Sequence, residues 1–126
     1  MNTIRILLVD DNPMFLGITS EFLKMQLELT VIGTAHNGQE ALAQAEKLQP
    51  DVILLDLNMP GLSGLETIPK LRQINPQAKI IALTMMNQDA YQPAALAAGA
   101  HGFVAKADMG AELIPTIQRV VKAGKE

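Results

Sequence analysis

Four aliphatic residues run without a polar break in Val52-Ile53-Leu54-Leu55, and the run stops at a carboxylate, Asp56. A strand with one wet face alternates apolar and polar residues. An unbroken run therefore predicts a strand covered on both faces by helices, in the middle of a parallel sheet. Pro60-Gly61 predicts a turn, because proline presets φ and glycine accepts positive φ. Asp56 is then expected just past the carboxyl end of a central strand, the edge where open α/β sheets bind ligands. Taken alone, an aspartate there is an ordinary loop residue.

The rest of the chain fits the same frame. Ile4-Arg5-Ile6-Leu7-Leu8-Val9 reads as a first strand ending at Asp10-Asp11, and Asn12-Pro13 as an N-cap with proline at the first helical position. Phe15, Ile18, Phe22 and Met25 follow at spacings of 3, 4 and 3, which predicts the inner face of a first helix. Leu29-Thr30-Val31-Ile32 is a second strand. Asn37-Gly38 opens a second helix with Ala41, Leu42, Ala45 and Leu48 inward, and Pro50 stops it. Ser63-Gly64-Leu65-Glu66 matches a capping box and starts a third helix, which Pro69 should bend and Asn75-Pro76 should end. Ile80-Ile81-Ala82-Leu83 is a fourth strand ending at Thr84. A short fourth helix is expected over residues 94–98, starting late because Pro93 suits a first turn, with Gly99 as its cap. Gly102-Phe103-Val104-Ala105 is a fifth strand ending at Lys106. The last helix carries Leu113, Ile117, Val120 and Val121 inward and is interrupted by Pro115.

Five strands alternating with five helices imply a doubly wound α/β fold with right-handed crossovers. The 126 residues suit one domain, spanning 1–126, and residues 122–126 are polar or small, as at the start of a linker. A chain of this length buries roughly two thirds of its unfolded surface and needs no staples. Cysteine is absent, which excludes disulfides and thiolate metal sites and suits a reducing cytosol. The start has no charged leader with a long apolar stretch, so no signal peptide is expected. A formal net charge of −3 gives no electrostatic footprint for nucleic acid.

The informative fact is joint. Four buried runs each end at a polar residue of a particular type: Val9 before Asp10-Asp11, Leu55 before Asp56, Leu83 before Thr84, Ala105 before Lys106. In a parallel sheet these ends share one edge. Three close carboxylates repel one another unless a cation lies among them, and oxygen ligands that leave room for water suit Mg²⁺. A carboxylate beside a metal can attack a phosphoryl group. A lysine and a hydroxyl opposite can hold the remaining phosphoryl oxygens. Each residue singly has a plainer explanation: a helix start, a turn cap, a solvated lysine. Four coincidences are a less economical reading than one shared site.

On these residues the chain resembles the receiver domains of two-component response regulators. The match rests on Asp10-Asp11, Asp56 within Asp-Leu-Asn-Met-Pro-Gly, Thr84 and Lys106, and covers nearly the whole sequence. The resemblance implies a flavodoxin-like, five-stranded parallel sheet of order 2-1-3-4-5 with helices on both faces. It implies that Asp56 accepts a phosphoryl group from a sensor histidine kinase or phosphotransfer protein. It implies Mg²⁺ held by Asp11, Asp56 and the backbone carbonyl of Asn58, with Asp10 acting through water. Thr84 and Lys106 would bind the phosphoryl group, and Thr84 with Phe103 would form the switch on the face of the fourth helix, fifth strand and fifth helix. Such a domain is a cytoplasmic phosphoacceptor with self-catalysed phosphorylation and dephosphorylation, not an enzyme on other substrates.

Val31-Ile32-Gly33-Thr34-Ala35, Asn37-Gly38-Gln39-Glu40-Ala41 and Leu83-Thr84-Met85-Met86 resemble the NarL/LuxR type. That type carries a C-terminal helix-turn-helix DNA-binding domain, absent from these residues, and can pair as a homodimer on phosphorylation. Contact of this chain itself with nucleic acid or membrane is not expected. Two departures stand out: Ala107 follows Lys106 where most receivers have proline, and Phe103 stands where the switch aromatic is commonly tyrosine. Met85, larger than the usual small residue, is expected to narrow phosphoryl access.

Three other readings are a phosphate-independent pseudo-receiver that only binds partners, a haloacid-dehalogenase-type phosphatase and a flavin carrier. Intact acids, Thr84 and Lys106 count against the first. The second needs Asp-x-Asp and a cap domain, and the third a phosphate-cradling loop where this chain is acidic. His36, after the second strand and at the other side of the sheet, and His101, before the fifth, have no carboxylate or serine placed close by and read as surface residues.

Overall fold

The computed structural model describes residues 3–59, 63–85 and 88–124. Five strands, β1 (Ile4–Val9), β2 (Leu29–Ala35), β3 (Val52–Asp56), β4 (Lys79–Thr84) and β5 (Gly102–Ala105), alternate with α1 (Pro13–Lys24), α2 (Gly38–Leu48), α3 (Gly64–Ile74), α4 (Gln88–Ala98) and α5 (Met109–Gly124). A 3-10 turn, Lys106–Asp108, joins β5 to α5. All strand pairs are parallel, in the order β2-β1-β3-β4-β5. The chain reverses its direction of growth between β2 and β3, which makes the β1/β3 boundary the switch point of the sheet.

The unbroken run in β3 has the expected cause. Ile53 and Leu55 enter a core with Leu7, Ile80, Ala82, Ile68, Leu71 and Ala45, on the face of α2, α3 and α4. Val52 and Leu54 enter a second core with Ile6, Leu8, Leu16, Leu23, Leu113 and Ile117, on the face of α1 and α5. Every side chain of β3 is buried.

Local chemistry sets the helix starts. Asn12 caps α1 with Pro13 in the first turn, accepting from the backbone N–H of Met14 and Phe15. Asn37 caps α2 through the Glu40 N–H. Ser63 and Glu66 form the complete capping box of α3. Gly99 follows α4 at φ 119°, a left-handed conformation that suits glycine.

Several expectations are corrected. The buried stripe of α1 is Leu16, Thr19 and Leu23, whereas Ile18 and Met25 are 64% and 78% exposed. Phe15 and Phe22 only flank the core. The segment is apolar on several faces, and the sheet selects the stripe that includes a threonine. β2 runs on to Ala35, past the expected Ile32, with a register slip against β1. α4 does not start late: it begins at Gln88 and contains Pro93. Pro69, Pro93 and Pro115 all lie inside helices at exposed positions, where water can serve the carbonyl left without its donor. α5 extends to Gly124. The expected Pro60-Gly61 turn lies outside the described residues.

Candidate functional site

The carboxyl ends of β1, β3, β4 and β5 meet at the switch-point edge. Val9 pairs with Leu55, Asp56 with Leu83, and Thr84 with Ala105, so the polar residues at these strand ends lie side by side. Asp56 is the last residue of β3 rather than the first beyond it. Asp10, Asp56 and Thr84 are buried, and Asp11 is exposed.

Asp10, Asp11 and Asp56 each offer a carboxylate oxygen, all within 4.8 Å of one another. The Lys106 ammonium lies 2.7 Å from Asp10 Oδ2 and 3.7 Å from Asp56 Oδ1. The other oxygen of Asp10 accepts the Asn12 N–H at 2.9 Å, and Asp56 Oδ1 accepts the Asn58 N–H at 3.0 Å. Each acid is thus oriented by the backbone two residues on. Burial pushes the Asp56 carboxyl above the ordinary carboxylate range. The Asn58 hydrogen bond opposes this, as does Lys106, while the Asp10 and Asp11 charges add to it. A carboxylate held this way gains from a cation. The donor set is hard oxygen with one exposed member, so these three acids could hold a metal ion with room for water.

The Thr84 hydroxyl donates to Asn58 Oδ1 at 2.9 Å. That side-chain role of Asn58 had no signal in the sequence. Phe103 lies on the α4 side of the sheet, only 9% exposed, in one cluster with Ala82, Ala95 and Ala100. Met85 is 79% exposed.

The resemblance is matched by comparison with known proteins. The family profile described as response regulator receiver domain matches residues 6–118. The chain belongs to this family. It is 43% identical over 101 residues to the nitrate/nitrite response regulator protein NarL of Escherichia coli strain K12, covering 80% of this chain and 47% of that protein. It is 40% identical over 123 residues to the response regulator GacA of Pseudomonas viridiflava, covering 97% of this chain and 56% of that protein. The chain therefore spans about half the length of the curated relatives it matches.

Among solved structures, a two-component response regulator of the LuxR family from Aurantimonas sp. SI85-9A1 superposes with TM-score 0.91 at 31% identity, over 97% of this chain and 87% of that one. The signal receiver domain of the putative response regulator NarL from Mycobacterium tuberculosis gives 0.90 at 27%, over 97% and 98%. The receiver is of the NarL/LuxR type. No helix among its described residues is long and apolar enough to cross a membrane.

His36 is an exposed surface residue, as expected, though with a carboxylate partner, whereas His101 departs from that expectation. His36 Nδ1 meets Glu40 Oε1 at 3.1 Å, one helical turn away in sequence. His36 also follows the carboxyl end of β2, so it lies on the same sheet edge as the acids, at the outer strand. His101 is half-buried, and its Nδ1 accepts the Ile80 N–H at 3.1 Å. Burial, with Lys79 and Arg72 adding, pushes His101 below its ordinary value.

Proposed function

We propose that this receiver accepts a phosphoryl group on Asp56, in a Mg²⁺-dependent reaction, from the phosphohistidine of a sensor kinase or phosphotransfer protein. An Asp56 carboxylate oxygen attacks phosphorus, the phosphorus–nitrogen bond breaks, and the imidazole nitrogen keeps the electron pair. The observation that carries this reading is the buried Asp56 carboxylate, crowded by two acids and 3.7 Å from the Lys106 ammonium.

Mg²⁺ would be held by Asp11, Asp56 and the Asn58 backbone carbonyl, with Asp10 acting through water, and would offset charge on the phosphoryl oxygens. Lys106 would exchange part of its contact with Asp10 for a phosphoryl oxygen. Thr84 would release Asn58 Oδ1 to donate to another. Its movement would be read on the face of α4, β5 and α5. Because Phe103 is already buried, repacking of its ring fits better than a large inward swing. The output would pass to a C-terminal DNA-binding domain or to a second receiver in a homodimer in the cytoplasm, and the acyl phosphate would be lost by self-catalysed hydrolysis.

Incubation with acetyl phosphate and Mg²⁺ should add one phosphoryl mass, labile to hydroxylamine, and Asp56→Asn should abolish it. Unchanged labelling of that variant would remove Asp56 from its role. No labelling of the wild type would favour a phosphate-independent binding module.

A further inference from the structure

We propose that Phe15 is a positioning residue for the phosphoryl-transfer site, holding the Lys106 ammonium against the acids by a cation–π contact. This deepens the phosphoacceptor reading and rests on it. The Lys106 ammonium lies 4.1 Å from the centroid of the Phe15 ring. Its side chain is 12% exposed, so the contact is largely desolvated, the condition under which a ring face attracts a cation best.

The contact closes a circuit of short-range ties. Asp10 Oδ1 accepts from Asn12 N–H. Asn12 Oδ1 accepts from Phe15 N–H at 3.3 Å and so fixes the start of α1. The Phe15 ring faces Lys106, and Lys106 returns to Asp10 Oδ2 at 2.7 Å.

Lysine needs such help. Its ammonium is a point charge on a flexible four-carbon stem and has no preset direction. The 3-10 turn that carries Lys106 has no side-chain cap to fix it. An aromatic face contributed by a separate helix limits where the stem can lie while leaving the N–H donors for oxygen. The same ring lines a groove of about 230 Å³ with Ile18, Thr19, Phe22, Met109 and Lys106 itself. A leucine at position 15 would keep apolar contact with that groove and lose only the ring.

The test compares wild type, Phe15→Leu and Phe15→Tyr in two measurements. The first is the rate of phosphorylation by acetyl phosphate at saturating Mg²⁺. Phe15→Leu should be slower by about three- to tenfold, and Phe15→Tyr, which keeps the ring, should return to near the wild-type rate. The second is the proton chemical shift of the Lys106 ε-methylene without phosphodonor. It should be moved upfield by the ring in wild type and Phe15→Tyr and should relax in Phe15→Leu. A Phe15→Leu rate equal to wild type overturns the proposal, as does a Phe15→Tyr rate as low as that of Phe15→Leu. Absence of the upfield shift in wild type overturns it without reference to any phosphoryl chemistry. A wild type that shows the shift but takes no phosphoryl group would instead refute the phosphoacceptor reading.

Discussion

α3 and α4 flank the same sheet face as neighbours, and their described side chains hold them by opposite means. α3 starts on a complete capping box and buries Ile68 and Leu71 fully. Its first residue, Gly64, is pressed so close to β3 that an added Cβ would stand 2.6 Å from the Asp56 carbonyl oxygen. Among the described side chains of α4, only Ala95 is buried, Leu96 is 46% exposed, and Pro93 interrupts the hydrogen-bond ladder. At its C-terminal end Arg72 reaches across from α3 to the Gly99 carbonyl at 3.2 Å. The difference teaches where a signal can travel. A helix anchored by large aliphatic side chains is costly to shift, whereas one seated on alanine can slide at little loss of buried area.

The largest expected effect tests this anchoring directly. Ile68→Ala should destabilise the domain by about 2–5 kcal/mol, because a fully buried side chain leaves a cavity. Ala95→Gly, at the buried position of α4, should cost only about 1 kcal/mol. Urea midpoints decide, and equal losses would erase the contrast.

A glycine pair sharpens it next. Gly64→Ala forces a Cβ against backbone and should cost about 1–3 kcal/mol while displacing Asp56. Gly110→Ala, where an added Cβ meets nothing within 4 Å, should stabilise by about 0.4–1 kcal/mol. Thermal melts of both variants test the signs.

The acids at the sheet edge give a smaller effect. The folded Asp56 carboxyl titrates above its unfolded value, so its contribution to stability is greatest in acid and is lost as pH rises through the folded value. Asp56→Asn without metal should therefore be more stable than wild type at neutral pH, and the gap should close on acidification. A gap that stays constant with pH contradicts the penalty that burial, with the neighbouring acids adding, places on the charged Asp56.

The smallest effect concerns the connection between α4 and β5. His101 titrates below its ordinary value, so stability present at neutral pH should fall as pH drops below the unfolded value of about 6.5 toward the folded one. His101→Asn, which keeps an acceptor for the Ile80 N–H, should flatten that slope in denaturant titrations.

The strand frame was legible because burial on two faces leaves an unbroken aliphatic run, as in β3, and because parallel strands bring their carboxyl ends to one edge. That rule alone brought together Asp10, Asp11, Asp56, Thr84 and Lys106. What escaped depends on rotation and on side-chain reach. The α1 segment carries apolar residues on several faces, so spacing favoured Ile18 and Met25, and the sheet buries Leu16, Thr19 and Leu23 instead. Pro93 marked a helix start by its missing donor, yet an exposed proline inside α4 costs one bond that water replaces. Asn58 as acceptor for Thr84, and Phe15 beneath Lys106, join residues far apart in sequence through side chains alone.

The central claim is that charge gained at Asp56 is felt at α4 and β5 while α3 stays in place. Amide hydrogen exchange of the domain with Mg²⁺, with and without beryllofluoride as phosphoryl mimic, measures this directly. The account predicts altered protection in α4 and β5 and unchanged protection across residues 64–74. Protection that changes in α3 as much as in α4, or that leaves α4 unaltered, would contradict it.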